Sequence, residues 1–247
     1  MSSAPGPRPD LAAPDSIAPS SAGPDSAETP TPPPGYFHGF PFDSGPLAIA
    51  PIQTERLILR PLTVDDVADV WEYQRLDEVL RYIPWPRRTL EEGAAHTLRR
   101  ATLRTLDATA DSAIFLACEL PADDERVPGS AGRVIGDVML RLSSVETAEL
   151  EIGWVFHPDF AGRGYATEAA EAMLRLAFDG IGAHRVIANL DPRNEASARL
   201  CVRLGLLHEA TLRESYWDKG EWSDTGIYGM IAHEWRARED TPAPHTP

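Results

Sequence analysis

The run "AELEIGWVFHPDFAGRGYATEAAEAMLRLAF", residues 148–178, constrains this chain more than any other. Its first half alternates, with Leu150, Ile152, Trp154 and Phe156 on one face and Glu149, Glu151, Gly153 and Val155 on the other, the period of a β-strand. From Gly164 onward the period is helical, and Ala166, Ala169, Ala170, Met173, Leu174 and Ala177 share a face. Between the two stand Gly162 and Gly164, one on each side of Arg163. Glycine serves where the backbone must turn left-handed or come close to a partner. A strand, a glycine turn and a helix make an anion site, because the first helical N–H groups lack acceptors and the helix dipole adds partial positive charge. Arg163 adds a full charge. The expected ligand is a phosphate.

Which phosphate is narrowed by what is missing. A nucleoside triphosphate site needs G-x-x-x-x-G-K-[ST], which is absent. A dinucleotide site is suggested by Gly162-x-Gly164 and by Asp191 at the end of the next strand, but Thr167 stands where the third glycine belongs. "HPDFA" also separates the apolar run from the turn, where that fold joins them directly. A nucleic-acid phosphate is disfavoured by a net charge of −15, since duplex binding draws on clustered Lys and Arg. The same acidity suits a positively charged second substrate, beside its ordinary role in solubility.

Residues 1–35 hold ten of the 23 prolines and, among large aliphatics, only Leu11 and Ile17, so this segment is expected to be disordered. No apolar region follows a basic start, so it is not read as a signal peptide. Residues 36–239 fit one domain with a proper core, and 240–247 read as a disordered tail. No stretch is long enough to cross a bilayer, so no membrane partner is expected. Cys118 and Cys201 lack the spacing of a redox or zinc site, which points to reduced thiols in a cytoplasmic protein and to no metal.

The remaining elements follow from alternation and caps. "TERLILRPLT" reads as a strand, and Thr63 with Asp66 opens a helix. "RYIPWPRRT" reads as a loop fixed by two prolines, and Thr89 with Glu92 opens a second helix running to about Leu106. "SAIFLACEL" and "RVIGDVMLRL" precede the strand of the glycine run. "HRVIANLD" is a strand, "NEASARLCVRLG" a helix between Asn194 and Gly205, and residues 206–235 form two antiparallel strands. The order is β-α-α-β-β-β-α-β-α-β-β, a mixed αβ arrangement.

Four stretches, taken in order, resemble the GNAT superfamily of acyl-CoA-dependent N-acyltransferases, and within it the ribosomal-protein N-terminal acetyltransferase (Rim-type) branch: "TERLILRPLTVDDV", "EIGWVFHPDFAGRGYATEAA", "NLDPRNEASARLCVRLGL" and "WDKGEWSD". Gly164-Tyr165-Ala166 matches the second half of the family's acyl-CoA motif, while Ala161 stands where Gln or Arg opens it. The resemblance implies an α+β fold with a central, mostly antiparallel, splayed sheet flanked by helices. It implies acetyl-CoA as co-substrate and transfer of acetyl to a primary amine, either a protein N-terminus or a small molecule. An aminoglycoside-like acceptor, succinyl-CoA as donor, and a catalytically idle CoA-binding module are the alternatives it leaves open. A homodimer is compatible with it.

Residue by residue, the resemblance has Gly162, Arg163, Gly164, Tyr165, Ala166 and Thr167 binding the CoA diphosphate through backbone N–H groups. Phe156 and His157 pair their backbone with the pantetheine arm. Asn194, also a good helix cap, bonds the pantetheine amide. Ser197 sits beside the thioester sulfur and donates to the leaving thiolate, whose pKa near 8.5 asks for modest help. An alkylammonium must lose a proton before it attacks, and Glu151, or Glu149, on the neighbouring strand is the expected acceptor. Trp85, Tyr216, Trp217 and Asp224 are the expected walls of an acceptor pocket suited to a cationic amine, in competition with plain rim packing.

Overall fold

The computed structural model describes residues 47–107, 112–122 and 132–239. The readings of 1–35 and 240–247 as disordered lie outside the described residues.

One eight-stranded sheet organises the described chain. Its strands are β2 (Ile52–Gln53), β3 (Ile58–Pro61), β5 (Ala113–Glu119), β6 (Val134–Ser144), β7 (Glu149–Phe156), β8 (Arg185–Leu190), β9 (Leu207–Asp218) and β10 (Glu221–Ile231), in the spatial order β2-β3-β5-β6-β7-β8-β10-β9. A separate two-stranded sheet joins β1 (Leu47–Ala48) to β4 (Thr105–Leu106). Every pairing is antiparallel except β7 with β8, which is parallel. This is the GNAT arrangement expected from the resemblance.

The helices cap where their sequences say they should. Thr63 and Asp66 form a capping box that starts a 3-10 turn and then α1 (Val67–Gln74), and Thr89 and Glu92 form another at α3 (Leu90–Thr102). α3 stops at Thr102, short of the expected Leu106, because Thr105 and Leu106 pair with β1 instead. A short helix, α2 (Asp77–Leu80), was not read from the sequence, nor was α6 (Ala232–Glu239). α6 is held by Trp235, which is buried, stacks on Phe178 at 5.5 Å and donates from Nε1 to Asp179 at 2.8 Å. α4 (Tyr165–Arg175) continues as a π-helical turn to Ile181 and ends at left-handed Gly182. α5 (Glu195–Arg203) follows β8.

Alternation along β7 divides the core between two layers. Leu150 and Ile152 are buried in the main cluster with Ala169, Met173 and Leu174 of α4, and Trp154 and Phe156 pack against it. Val155 faces the other way, into a smaller cluster with Leu62, Val70, Tyr73 and Ala117, where Trp85 and Phe115 also pack. The α4–α5 layer and the α1–α3 layer therefore lie on opposite faces of β7.

Candidate active site

The sheet opens beside β7. Parallel pairing with β8 covers Glu149, Leu150 and Glu151, and among the described residues it does not continue beyond them. On its other edge β7 stays paired with β6 as far as Phe156, and the His157 amide donates to the Ile135 carbonyl at 2.9 Å. Backbone groups alternate sides in an antiparallel ladder. With His157 turned toward β6, the N–H and C=O groups of Trp154 and Phe156 point toward the opening. The Phe156 amide is thus available there, and the His157 amide is not. The His157 ring braces the next turn, its Nδ1 accepting from the Asp159 amide at 3.2 Å.

That turn leads directly to the two glycines. Gly162 (φ +73°) and Gly164 (φ +83°) are both left-handed, a conformation costly for any residue with a Cβ. The first α4 amide with an acceptor is that of Glu168, to the Gly164 carbonyl at 3.0 Å. Among the described residues, the backbone N–H groups of Gly162 to Thr167 have no protein acceptor. Residues 161–164 are exposed, and Ala166 and Thr167 are half-buried. Tyr165, by contrast, is buried, so any contact it makes with a phosphate is through its backbone alone.

A clamp holds the turn in shape. The Arg56 guanidinium donates to the Arg163 carbonyl at 2.7 Å and to Glu168 Oε2 at 2.6 Å, and it lies 4.8 Å from the centre of the Tyr165 ring. The Arg56 amide and the Thr54 hydroxyl both donate to Glu168 Oε1, each at 2.6 Å. Burial alone would raise the Glu168 pKa, but these Thr54 and Arg56 contacts outweigh it and hold the carboxyl below its usual range. Thr167 accepts from Arg203 at 2.9 Å, tying the first turn of α4 to the last turn of α5.

Across the opening, Asn194 caps α5, its Oδ1 accepting from the Ser197 amide at 3.1 Å, which leaves the Nδ2 hydrogens for a ligand. The Ser197 hydroxyl accepts from the Trp154 indole Nε1 at 3.2 Å. That contact turns the hydroxyl oxygen toward β7 and frees its own hydrogen to donate elsewhere. Trp154 entered the sequence reading only as a core-facing strand residue. Its Nε1 could be matched to Ser197 only after the β7–β8 opening was known.

The carboxylates on β7 are engaged. Glu151 pairs with Arg141, its direct cross-strand neighbour, and Glu149 pairs with Arg185 at 2.9 Å. Neither thiol suits a covalent intermediate. Cys118 and Cys201 are buried and free, and burial pushes Cys118 upward and Cys201 to about 12.

An amide turn without protein acceptors among the described residues thus follows a splayed pair of strands. Residues 56–207 match the acetyltransferase (GNAT) domain family. The chain belongs to that family. It is 30% identical over 184 residues to an uncharacterized N-acetyltransferase of Bacillus subtilis (strain 168), YnaD, covering 74% of this chain and 98% of the relative. A GNAT-family acetyltransferase from Bacillus anthracis shares the fold at a TM-score of 0.63 and 26% identity, over 75% of this chain and all (100%) of the other. The ribosomal alpha-N-protein acetyltransferase RimL shares the fold at a TM-score of 0.60 and 17% identity, over 74% and 94%. The protein is an acyl-CoA-dependent N-acetyltransferase.

The four residues expected to wall the acceptor pocket of the acetyltransferase sit on two elements, the β9–β10 hairpin and the segment before α3. Trp217 is 52% exposed and meets Trp222 edge-on at 5.3 Å, Tyr216 is exposed, and Asp224 accepts from the Glu214 amide at 2.8 Å to brace the hairpin. Trp85 lies instead against α3, 5.1 Å from His96 and 5.7 Å from the Arg100 guanidinium. Lys219 links the two regions by donating to the Leu80 and Ile83 carbonyls at 2.8 and 2.6 Å.

Proposed function

We propose that this acetyltransferase moves acetyl from acetyl-CoA to a primary amine, a protein N-terminus or a small molecule, by direct attack. Support comes chiefly from one juxtaposition: six amides at Gly162 to Thr167, without a protein acceptor among the described residues, follow the end of β7 where it has left β8. In this reading the amides hold the CoA diphosphate, with Arg163 adding charge. The pantetheine runs along the Trp154 and Phe156 backbone and meets the Asn194 Nδ2 group.

The amine enters from the α1–α3 face and forms a bond to the thioester carbon, while the carbonyl electrons move onto oxygen. The Phe156 amide stabilises that oxyanion. When the tetrahedral adduct collapses, the carbon–sulfur bond breaks and the Ser197 hydroxyl, held by Trp154, donates to the departing thiolate. The amine's proton leaves to Glu151 through water, because one Glu151 oxygen is engaged by Arg141. The buried free thiols suit a reducing, cytoplasmic setting.

The test is intact-mass screening of candidate amines and peptides with acetyl-CoA, together with measured CoA release. A gain of one acetyl group with equimolar CoA supports the proposal. Tight acetyl-CoA binding without turnover on any amine would replace it with an idle CoA-binding module.

A further inference from the structure

On the α1–α3 face of the sheet sits a charged group that the transfer chemistry above does not use. Arg100 of α3 is only 4% exposed. Its Nη2 lies 2.6 Å from Asp137 Oδ1, an ion pair whose angles do not make a hydrogen bond. Asp137 is also buried, and its Oδ2 accepts from the Tyr73 hydroxyl at 2.5 Å. Among the described residues, Arg100 Nε and Nη1 meet no acceptor. Each buried N–H left without an acceptor costs on the order of 1–3 kcal/mol, so a guanidinium kept in this state needs a further oxygen partner.

The surroundings indicate the kind of oxygen. The guanidinium lies 4.7 Å from the Phe115 ring centre and 5.7 Å from that of Trp85, and both rings are half-buried, so they form an apolar mouth. Arg88 stands 5.6 Å from the Trp85 ring. His96, beside Trp85, is pushed down to about 3 by burial first and then by Arg100, Arg88 and Arg99, so it stays neutral in a locally positive field. Gln74 adds a buried amide Nε2 without a partner, its Oε1 lying 3.4 Å from His96 Nδ1. Within a chain of net charge −15, this is a donor-rich site for an anion.

Its position connects it to the reaction. Asp137 is the cross-strand neighbour of Val155, Met139 of Gly153 and Arg141 of Glu151, all on one face. From Val155 to Gly153 is roughly 7 Å along the strand. Gly153 carries no side chain of its own, and the flexible Met139 side chain lies over it, its Cε 2.9 Å from where a Cβ would stand, between the Arg100 pair and Glu151. We infer that the acceptor is an amino carboxylate, whose carboxylate binds Arg100 between Trp85 and Phe115 while its amine points along β7 toward Glu151. This rests on the proposed amine acetylation. It replaces the polycationic acceptor suggested by overall charge with one that carries its own anion.

The test pairs binding with turnover. Protein saturated with CoA is titrated calorimetrically with a panel of amino acids and their carboxamides, and the same compounds are assayed with acetyl-CoA. The inference predicts at least one amino acid bound and acetylated at least tenfold better than its amide. In Arg100→Lys, and in Arg100→Met combined with Asp137→Asn to avoid a lone buried carboxylate, that preference shrinks at least tenfold while the KM for acetyl-CoA holds. Turnover of amines with no carboxylate preference, or a preference that survives both variants, overturns the inference and leaves the acetylation proposal standing. Arg100-dependent binding of amino acids without acetylation sinks the acetylation proposal and keeps the carboxylate site. Neither binding nor turnover across the panel overturns the inference.

Discussion

The Trp154 indole donates to the Ser197 hydroxyl across 3.2 Å, joining β7 to the first turn of α5 over the opening in the sheet. A hydroxyl that accepts from one side has its hydrogen directed to another. In the proposed reaction that other side holds the departing sulfur. Ser197→Ala is expected to lower kcat about tenfold, the upper part of what one hydrogen bond contributes, with the KM for acetyl-CoA nearly unchanged. Trp154→Phe, which keeps the ring and removes the N–H, should give a smaller loss of the same pattern. Steady-state kinetics on both variants checks this, and a rise in KM without a fall in kcat would leave Ser197 a helix-start residue.

Gly164 is the least replaceable position of the turn. Its φ of +83° is unfavourable for side chains, and an added Cβ would meet Arg56 Nη2 at 3.1 Å. Gly164→Glu adds a carboxylate where the diphosphate is proposed to sit, and acetyl-CoA affinity should fall by at least a hundredfold in calorimetry. Gly162, whose added Cβ would meet nothing within 4 Å, offers the contrast. Gly162→Ala should cost only the left-handed strain, roughly 1–2 kcal/mol.

Glu168 couples that turn to Thr54 and Arg56 in the bend between β2 and β3. Its folded-state pKa is depressed, so its contribution to stability is present above the unfolded carboxylate range, near 4.3, and is lost as pH falls through the lower folded value. Glu168→Gln removes the charge that Arg56 meets and should destabilise the fold by about 2 kcal/mol at pH 7, with the difference from the parent narrowing below pH 4. Denaturant unfolding at pH 7 and at pH 3.5 reads it, and a difference that does not narrow would show that the ion pair is not its source.

His96 titrates in the same direction from a different cause. Its pKa of about 3 lies below the ordinary 6.5, so the unfolded chain binds the proton first, and stability should fall as pH drops from about 6.5 toward 3. The slope is on the order of 1 kcal/mol per pH unit. His96→Asn should flatten the pH dependence of unfolding across that window, and an unchanged slope would contradict the assigned burial.

What the sequence disclosed and what it hid separate along physical lines. The glycine turn, the capping boxes at Thr63 and Thr89 and the Asn194 cap are local, set by residues three or four apart, and their elements formed where the spacing put them. The splayed sheet came from the family resemblance and not from periodicity, which carries no strand order. Pairings across more than a hundred residues, such as Arg56 with Glu168, stayed invisible because no local pattern encodes a partner so distant. His157 shows a finer limit. One residue along a ladder reverses the direction of the amide, and only the pairing with Ile135 reveals which of Phe156 and His157 faces the opening. The contacts of the aromatics were hidden for a related reason, since nothing local to Trp85 or Trp217 says that one packs near Arg100 of α3 and the other edge-on against Trp222.

A crystal structure at saturating acetyl-CoA tests the central claim most directly. The account predicts diphosphate oxygens within hydrogen-bonding distance of the Gly162 to Thr167 amides and pantetheine alongside the Trp154 and Phe156 backbone, with the sulfur near Ser197. Acetyl-CoA seated away from those amides, or the amides satisfied by a carboxylate of the protein itself, would contradict it.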